Sequence, residues 1–364
     1  MLKINLTTLF FSIFILIFFF IRIPSHPISD NDASRLAGIM SIVQSSKLNI
    51  DDTPYSKIGD RVVYEGKSYS SKPPFLNFVT GNFIKFVFQI KPALIQNQVA
   101  IYKLSTFLTN IIPILIIFIT SRKILNLKHS LFLIFGTLIF SYSQFLTNHI
   151  LETAVHLLLF YFLIQKKQNV TTSLAIGVLL SLILAIDITS GAIVIPVTLC
   201  WYIFTHKNNL KIKNLLIILL SSLPITIFHF VLNYIQFKTL LPPQLFPSIY
   251  LSYENSKWLY NKTGFELLDD PILIRFFNYT FGTYGLFLYQ PILLFSLFVK
   301  RFDKKWILII AITLQWILAS FLADRPIALD LFMIQFLVSI AIYPLLHRFF
   351  NLLNKAMPEN FQDA

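Results

Sequence analysis

Long apolar runs recur along this chain from Leu6 to Leu346, and a bilayer is the solvent that suits them. With 55% hydrophobic residues, 38 of the 364 being Phe, an ordinary water-soluble domain is excluded. Backbone crossing lipid must satisfy its own hydrogen bonds, so the spans are helices. The expected fold is a single-domain (1–364), all-α polytopic membrane protein with about ten transmembrane helices. The spans fall near 6–23, 100–120, 130–147, 149–164, 172–186, 188–204, 215–235, 282–299, 306–323 and 327–346. Pro113, Pro196, Pro224 and Pro291 are candidate kinks. The segment from Phe75 to Ile90 carries Asn77, Asn82 and Lys85, which suits an interfacial or re-entrant helix better than a span.

One long polar stretch, Pro24 to Pro74, interrupts this pattern between the first span and the interfacial segment. It gathers Asp30, Asp32, Arg35, Asp51, Asp52, Asp60, Arg61, Glu65 and Lys72, in a chain only 13% charged. Charge concentrated beside a membrane boundary points to a site. No small-x-small cleavage site follows the first apolar run; Arg22, Pro24 and His26 come instead, as in an uncleaved span.

Orientation follows from the loops. Arg122, Lys123 and Lys128, then Lys166 and Lys167, then Lys207, Lys211 and Lys213 fall in every second loop. Lys300, Arg301, Lys304 and Lys305 continue the alternation, and Arg348 and Lys355 follow the last span. The positive-inside rule therefore places both termini in the cytoplasm, and the 24–98 and 237–279 loops outside. The same placement accounts for the net charge of +13 without nucleic acid as a partner. The single cysteine, Cys200, permits no intrachain disulfide and reads as a small apolar-run residue.

With this topology drawn, the polar residues of the spans collect at the outer end. His149, Glu152 and His156 share one face of the fourth span, Asp187 closes the fifth, and Asp324 and Arg325 form the last outer turn. Together they outline a polar cavity. Plainer readings stand beside it: Glu152 and Asp187 can sit at headgroup level, and Lys72 before Pro73 and Pro74 can be a turn. The pattern H-x-x-E-x-x-x-H lacks the spacing of a zinc motif, so a helix-packing cluster is the alternative to a metal site. No metal ligand is assigned, and whether a divalent metal takes part is left open.

The run SDNDASR from Ser29 to Arg35, then Gly59, Asp60 and Arg61, then GKSYSSKPP from Gly66 to Pro74 resemble the first outer loop of polytopic type-C glycosyltransferases. These are the membrane enzymes related to protein O-mannosyltransferases and lipid A aminoarabinose transferases. Asn148 with His149, the segment from Asn233 to Pro242, and GTYGLFLYQP from Gly282 to Pro291 extend the likeness. Where family members often carry an Asp-Glu pair, this chain has Asp30, Asn31 and Asp32.

The resemblance implies a cell-envelope enzyme. It moves a sugar from a polyprenyl-phosphate donor to a lipid, glycan or protein acceptor on the extracytoplasmic side, with inversion. It implies Asp32 or Asp30 as catalytic base, with Arg35, Lys72 and Arg325 at the donor phosphate. Tyr69, His149, Glu152, Asp187 and Tyr284 would line the substrate cavity. Asp32 is favoured over Asp30 because it stands three residues before Arg35, on one helix face. Two other classes compete: a transporter or flippase for lipid-linked substrates, and a non-catalytic relative that kept the fold. A transport path predicts polar groups at mid-membrane on broken helices, often in inverted repeats, and no repeat is seen.

Overall fold

The computed structural model describes residues 5–253 apart from 166–168, 207–211 and 244–245, and beyond these only Ser256, Ile274 and Phe277. All but the last two belong to the first of two compact units, Met1–Leu267. The three spans expected after residue 280 fall in the second, Leu268–Ala364, outside the described residues.

Helix α1 (Leu6–Ile21) is capped by Asn5, whose side chain accepts from the Thr8 N–H at 2.8 Å. It is apolar all round and so buries only one edge. Phe19 stacks on Phe135 with centroids 5.6 Å apart, while Leu9, Phe10, Ile13, Ile17 and Phe20 stay exposed. In a membrane that face meets acyl chains.

The polar loop folds into α2 (Asp30–Ser45), a two-stranded hairpin β1 (Arg61–Tyr64) and β2 (Lys67–Ser70), and α3 (Pro74–Phe88). The hairpin corrects the all-helical expectation. Its two-residue turn places Glu65 at φ 49° and Gly66 at φ 73°, the left-handed pair that joins antiparallel strands tightly. Val62 pairs with Tyr69, and both pack on Phe237, Tyr250 and Leu251, which pins the hairpin to the 237–251 segment. Tyr253 adds to this clamp by donating to the Gly59 and Arg61 carbonyls, each at 2.9 Å.

Helix α2 is buried from Asp32 to Val43 and lies very close to α3. Two glycines permit the approach: a Cβ on Gly38 would fall 2.5 Å from Asn77 Nδ2, and one on Gly81 would fall 2.8 Å from Ile42 Cβ. Pro74 opens α3, where a missing N–H does no harm. Val79, Phe83, Phe86 and Ile90 form an exposed stripe from α3 onward, in keeping with the interfacial expectation.

Two of the described helices are long and apolar enough to cross a membrane, Gln98–Ile124 and Ile212–Phe237. The first is α4 (Gln98–Thr106), a π-helical turn (Phe107–Ile111) and α5 (Ile112–Ile124) in one continuous rod. Pro113, near the start of α5, lacks the N–H that would bond back to residue 109, and the wider π turn absorbs that defect. The second long helix is α11, preceded by α8 (His149–Leu163), α9 (Val170–Ile186) and α10 (Ile188–His206), close to their expected bounds. A short α12 (Pro247–Tyr250) follows.

The span expected at 130–147 is different. It is broken into α6 (Leu127–Phe135) and α7 (Leu138–Tyr142) at Gly136 and Thr137. Gly136 closes α6 with an N–H bond to the Phe132 carbonyl, and Thr137 caps α7 by accepting from the Ile139 N–H at 3.3 Å. Glycine is a poor helix continuer, and the Thr137 hydroxyl competes with the ladder by donating to the Leu133 carbonyl at 2.6 Å.

Candidate active site

The fold brings the starts of α2, α3 and α8 and the junction of α9 with α10 to one end. Ser29 caps α2 by accepting from the Asp32 N–H at 3.3 Å, and Asp32 Oδ2 accepts from the Ile28 N–H at 3.3 Å. The pair resembles a capping box, with the return bond made to the residue before the cap, and it uses one of the two Asp32 oxygens. Asp32 Oδ1 is buried and has no hydrogen-bond partner among the described residues. Asp30, one position into the helix, is exposed, with Oδ2 near Gly59. The two acids singled out from sequence are therefore unlike: only Asp32 points inward.

Arg35 follows one turn on and is 1% exposed. Its Nη2 donates to Asn148 Oδ1 at 3.0 Å, across 113 residues of sequence, and Asn148 Nδ2 donates to Glu152 Oε2 at 3.4 Å. Arg35 Nε and Nη1 have no hydrogen-bond partner among the described residues. Asp32, Asp187, Asp60 and Glu152 all exert their field on the guanidinium. Burial pulls its pKa down to about 10 against that field, so it stays cationic at neutral pH.

Beside it runs the hairpin exit. Lys72 Nζ pairs with Asp60 Oδ2 at 2.6 Å, and the Ser71 hydroxyl donates to Asp60 Oδ1 at 2.7 Å. Ser34 on α2 touches both Ser70 and Ser71, at 3.1 and 3.4 Å, and Asn77 donates to Ser70 at 3.3 Å. These contacts lock the Ser70–Lys72 segment against α2, and Pro73 and Pro74 hold it extended before α3. Lys72 is therefore more than a turn residue. Its ammonium is pinned over a fully buried carboxylate while 16% of its side chain stays open.

Asp32, Asp60 and Glu152 are each 0% exposed. Taking ionised groups out of water is expensive unless they are paired, so gathering them is a property of sites more than of cores. Burial pushes the Asp32 carboxyl above the usual carboxylate range. The Ile28 N–H, the Ser29 hydroxyl and the Arg35 charge pull the other way and reduce the rise. A carboxylate held high is a stronger base when ionised.

The remaining expectations sort plainly. His149 opens α8 with its ring edge-on to Tyr142 at 5.5 Å, and Arg35 and Lys72 act on it electrostatically. Asp187 is half-buried at the α9–α10 junction, where its carboxylate accepts from the Ser190 N–H at 3.2 Å. Tyr69 turns to the aromatic cluster of Phe237 and Tyr250 on the other side of its strand. Arg325 and Tyr284 lie outside the described residues. Among the described residues no three His, Cys, Asp or Glu side chains come together to hold a metal ion.

Two members of the constellation carried no assigned role in the sequence reading: Asp60 and Asn148. Asp60 precedes the strand that presents Arg61, and strand alternation turns it from Arg61 toward Ser71. Asn148 is held by a distant contact: Asn110, in the π turn, donates to the carbonyls of Tyr142, Ser143 and Phe145. Tyr102 adds a bond to the Gln144 carbonyl at 3.3 Å. That grip fixes the α7–α8 connection, which delivers Asn148 to Arg35.

No protein-family model and no curated protein sequence matches this chain. Solved structures do. ArnT from Cupriavidus metallidurans in the apo state superposes with TM-score 0.54 at 13% identity, over 93% of this chain and 58% of that one. The same protein bound to undecaprenyl phosphate gives 0.52 over the same shares. The Archaeoglobus fulgidus oligosaccharyltransferase in the apo form gives 0.51 at 13% identity, over 96% of this chain and 52% of that one. The chain thus spans little more than half the length of the structures it matches. At this identity the likeness is one of architecture: the chain has the type-C glycosyltransferase fold that its polar loop resembles.

Proposed function

We propose that this protein transfers a sugar from a polyprenyl-phosphate donor to an acceptor hydroxyl or amine on the extracytoplasmic side, with inversion. The observation that carries the reading is the buried constellation Asp32, Arg35, Asp60, Lys72, Asn148 and Glu152 at one end of a fold shared with a protein solved with undecaprenyl phosphate. Such a donor keeps its isoprenoid tail in lipid and its phosphosugar at the interface. A site of this polarity belongs where helices begin and end.

In the reaction, the Asp32 carboxylate takes the proton of the acceptor as its oxygen or nitrogen attacks the anomeric carbon. The bond from that carbon to the phosphate oxygen breaks on the opposite face, and polyprenyl phosphate leaves with the electron pair. Lys72 and Arg35 offset the charge that grows on the phosphate, Arg through a fork that matches two oxygens. A positioned base contributes about 10²–10⁴ in rate. Asn148 and Glu152 hold Arg35 in place. The described charged groups sit at helix ends, which supports transfer at the interface over transport through the bilayer.

The test is to incubate purified protein with a panel of polyprenyl-phosphate sugars and measure release of polyprenyl phosphate. Turnover that requires Asp32 supports the reading. Binding without turnover across the panel and candidate acceptors, unchanged by Asp32→Asn, would instead favour a non-catalytic relative.

A further inference from the structure

Helix α11 carries a second polar feature that the charged constellation does not use. His229, Asn233 and Gln236 are 1%, 3% and 7% exposed. Their spacing puts them on one face, while Leu219, Leu223, Ile227 and Tyr234 are exposed elsewhere on the helix. Asn233 Nδ2 lies 3.2 Å from His229 Nε2, so the amide donates to that nitrogen and the ring proton belongs on Nδ1. Asn233 also reaches the Leu240 carbonyl at 3.5 Å. His229 Nδ1 and Gln236 Oε1 are buried with no hydrogen-bond partner among the described residues. The stripe thus holds an unspent donor and an unspent acceptor inside a span, an arrangement that a ligand of both polarities relieves.

Helix geometry says where the stripe faces. Leu232 packs with Phe75 and Ala185, and the Phe237 ring lies 5.3 Å from that of Tyr69. At about 100° per residue, Gln236, His229 and Asn233 fall about 40–100° round from Leu232, and Phe237 falls about 140° round in the same sense. The stripe therefore points into the sector between Phe75 and Tyr69. The chain that joins those two residues is Ser70–Pro74, with Lys72 at its centre. From the level of Phe237 the stripe descends about 12 Å along the helix. Its groups are uncharged amides and a neutral imidazole, which suit hydroxyls rather than phosphate.

We infer that His229, Asn233 and Gln236 form a binding surface for the sugar of the lipid-linked donor, beside the Ser70–Pro74 segment whose Lys72 takes its phosphate. The inference rests on the proposed transferase reading and deepens it by assigning a sugar-recognition site. Sugar hydroxyls donate and accept, so one ring satisfies both Nδ1 of His229 and Oε1 of Gln236, directly or through an ordered water.

The test compares two probes on full-length protein in nanodiscs: undecaprenyl phosphate, and the same lipid carrying glucose or mannose on its phosphate. The wild type is expected to bind at least one sugar-bearing lipid about tenfold more tightly than the bare one. The His229→Leu/Gln236→Leu variant should lose that advantage while binding bare undecaprenyl phosphate as the wild type does. Gln236→Leu removes an unpartnered oxygen and spares the fold, whereas His229→Leu also takes away the acceptor of the Asn233 amide and lowers stability. Gln236→Leu alone, expected to lose part of the preference, serves if the double variant expresses poorly. An unchanged preference in the variants, or none in the wild type, overturns the inference and leaves the phosphate site standing. Failure of the wild type to bind either lipid overturns the transferase reading itself.

Discussion

Asp32 does two jobs with two oxygens. Oδ2 closes the cap of α2 and Oδ1 is buried without a partner among the described residues, so a substitution that keeps the cap isolates the chemistry. The amide oxygen of Asn accepts the Ile28 N–H as the carboxylate does. Asp32→Asn should therefore leave folding and donor binding intact and lower transfer by a hundredfold or more, about 3 kcal/mol of barrier. Asp30→Asn, on an exposed carboxylate, should do much less; equal losses from the two would move the base elsewhere. The pH profile carries the same assignment. A base works when deprotonated, so transfer is present above its pKa and falls as pH drops through it. Burial holds the Asp32 carboxyl high, so the acid limb should lie above the usual carboxylate range and vanish in Asp32→Asn. A profile flat into the ordinary carboxylate range would rule Asp32 out. At Lys72 the ion pair changes what a mutation reports. Lys72→Met leaves the Asp60 carboxylate buried without its cation, a loss of about 3–5 kcal/mol for pairs of this kind. Adding Asp60→Asn should recover most of that stability in thermal unfolding without restoring transfer, which separates the structural from the chemical role.

At the scale of elements, the α7–α8 connection is the part that has to be built. Asn110 holds it: this residue sits in a π turn and donates to the Tyr142, Ser143 and Phe145 carbonyls. Its effect on Arg35 passes through Asn148. Asn110→Leu should lower transfer about tenfold, in kcat more than in KM, because the charge at the leaving phosphate is misplaced. Combined with Asn148→Ala, it should add little further loss, since both act on the same guanidinium. Multiplying losses would show that Asn110 acts by another route.

For the whole molecule, the arrangement of ends is what gives the site its address. α1, α9 and α11 finish at the end where α2, α3, α8 and α10 begin, while Arg122 and Lys123 close α5 at the other. Tags at Lys57 are expected to report the extracytoplasmic side and tags at Lys166 the cytoplasm, by accessibility labelling in intact cells. Labelling of Lys57 only after permeabilisation would place donor and base in the wrong compartment.

Apolar runs set helices and their approximate bounds, because backbone in lipid has no other way to satisfy its hydrogen bonds. That made α8, α9, α10 and α11 readable almost to their ends, and charge clustering marked the polar loop. Local rules were harder to weigh. Gly136 and Thr137 break a run that hydrophobicity alone carries through, and the Glu65–Gly66 turn forms a hairpin in a stretch with no strong alternation. The choice between Asp30 and Asp32 rested on spacing, while the burial that separates them comes from α3, the hairpin and α8 closing over α2. Asp60 and Asn148 show the limit most clearly. Their meaning lies in partners 11 and 113 residues away, Ser71 and Arg35, and no local pattern encodes such pairings. Sequence by itself determined what can live in the membrane and which loop holds the charge. Tertiary structure alone decided which charges meet, because a carboxylate becomes a strong base, or a lysine a fixed cation, only when packing removes the water around it.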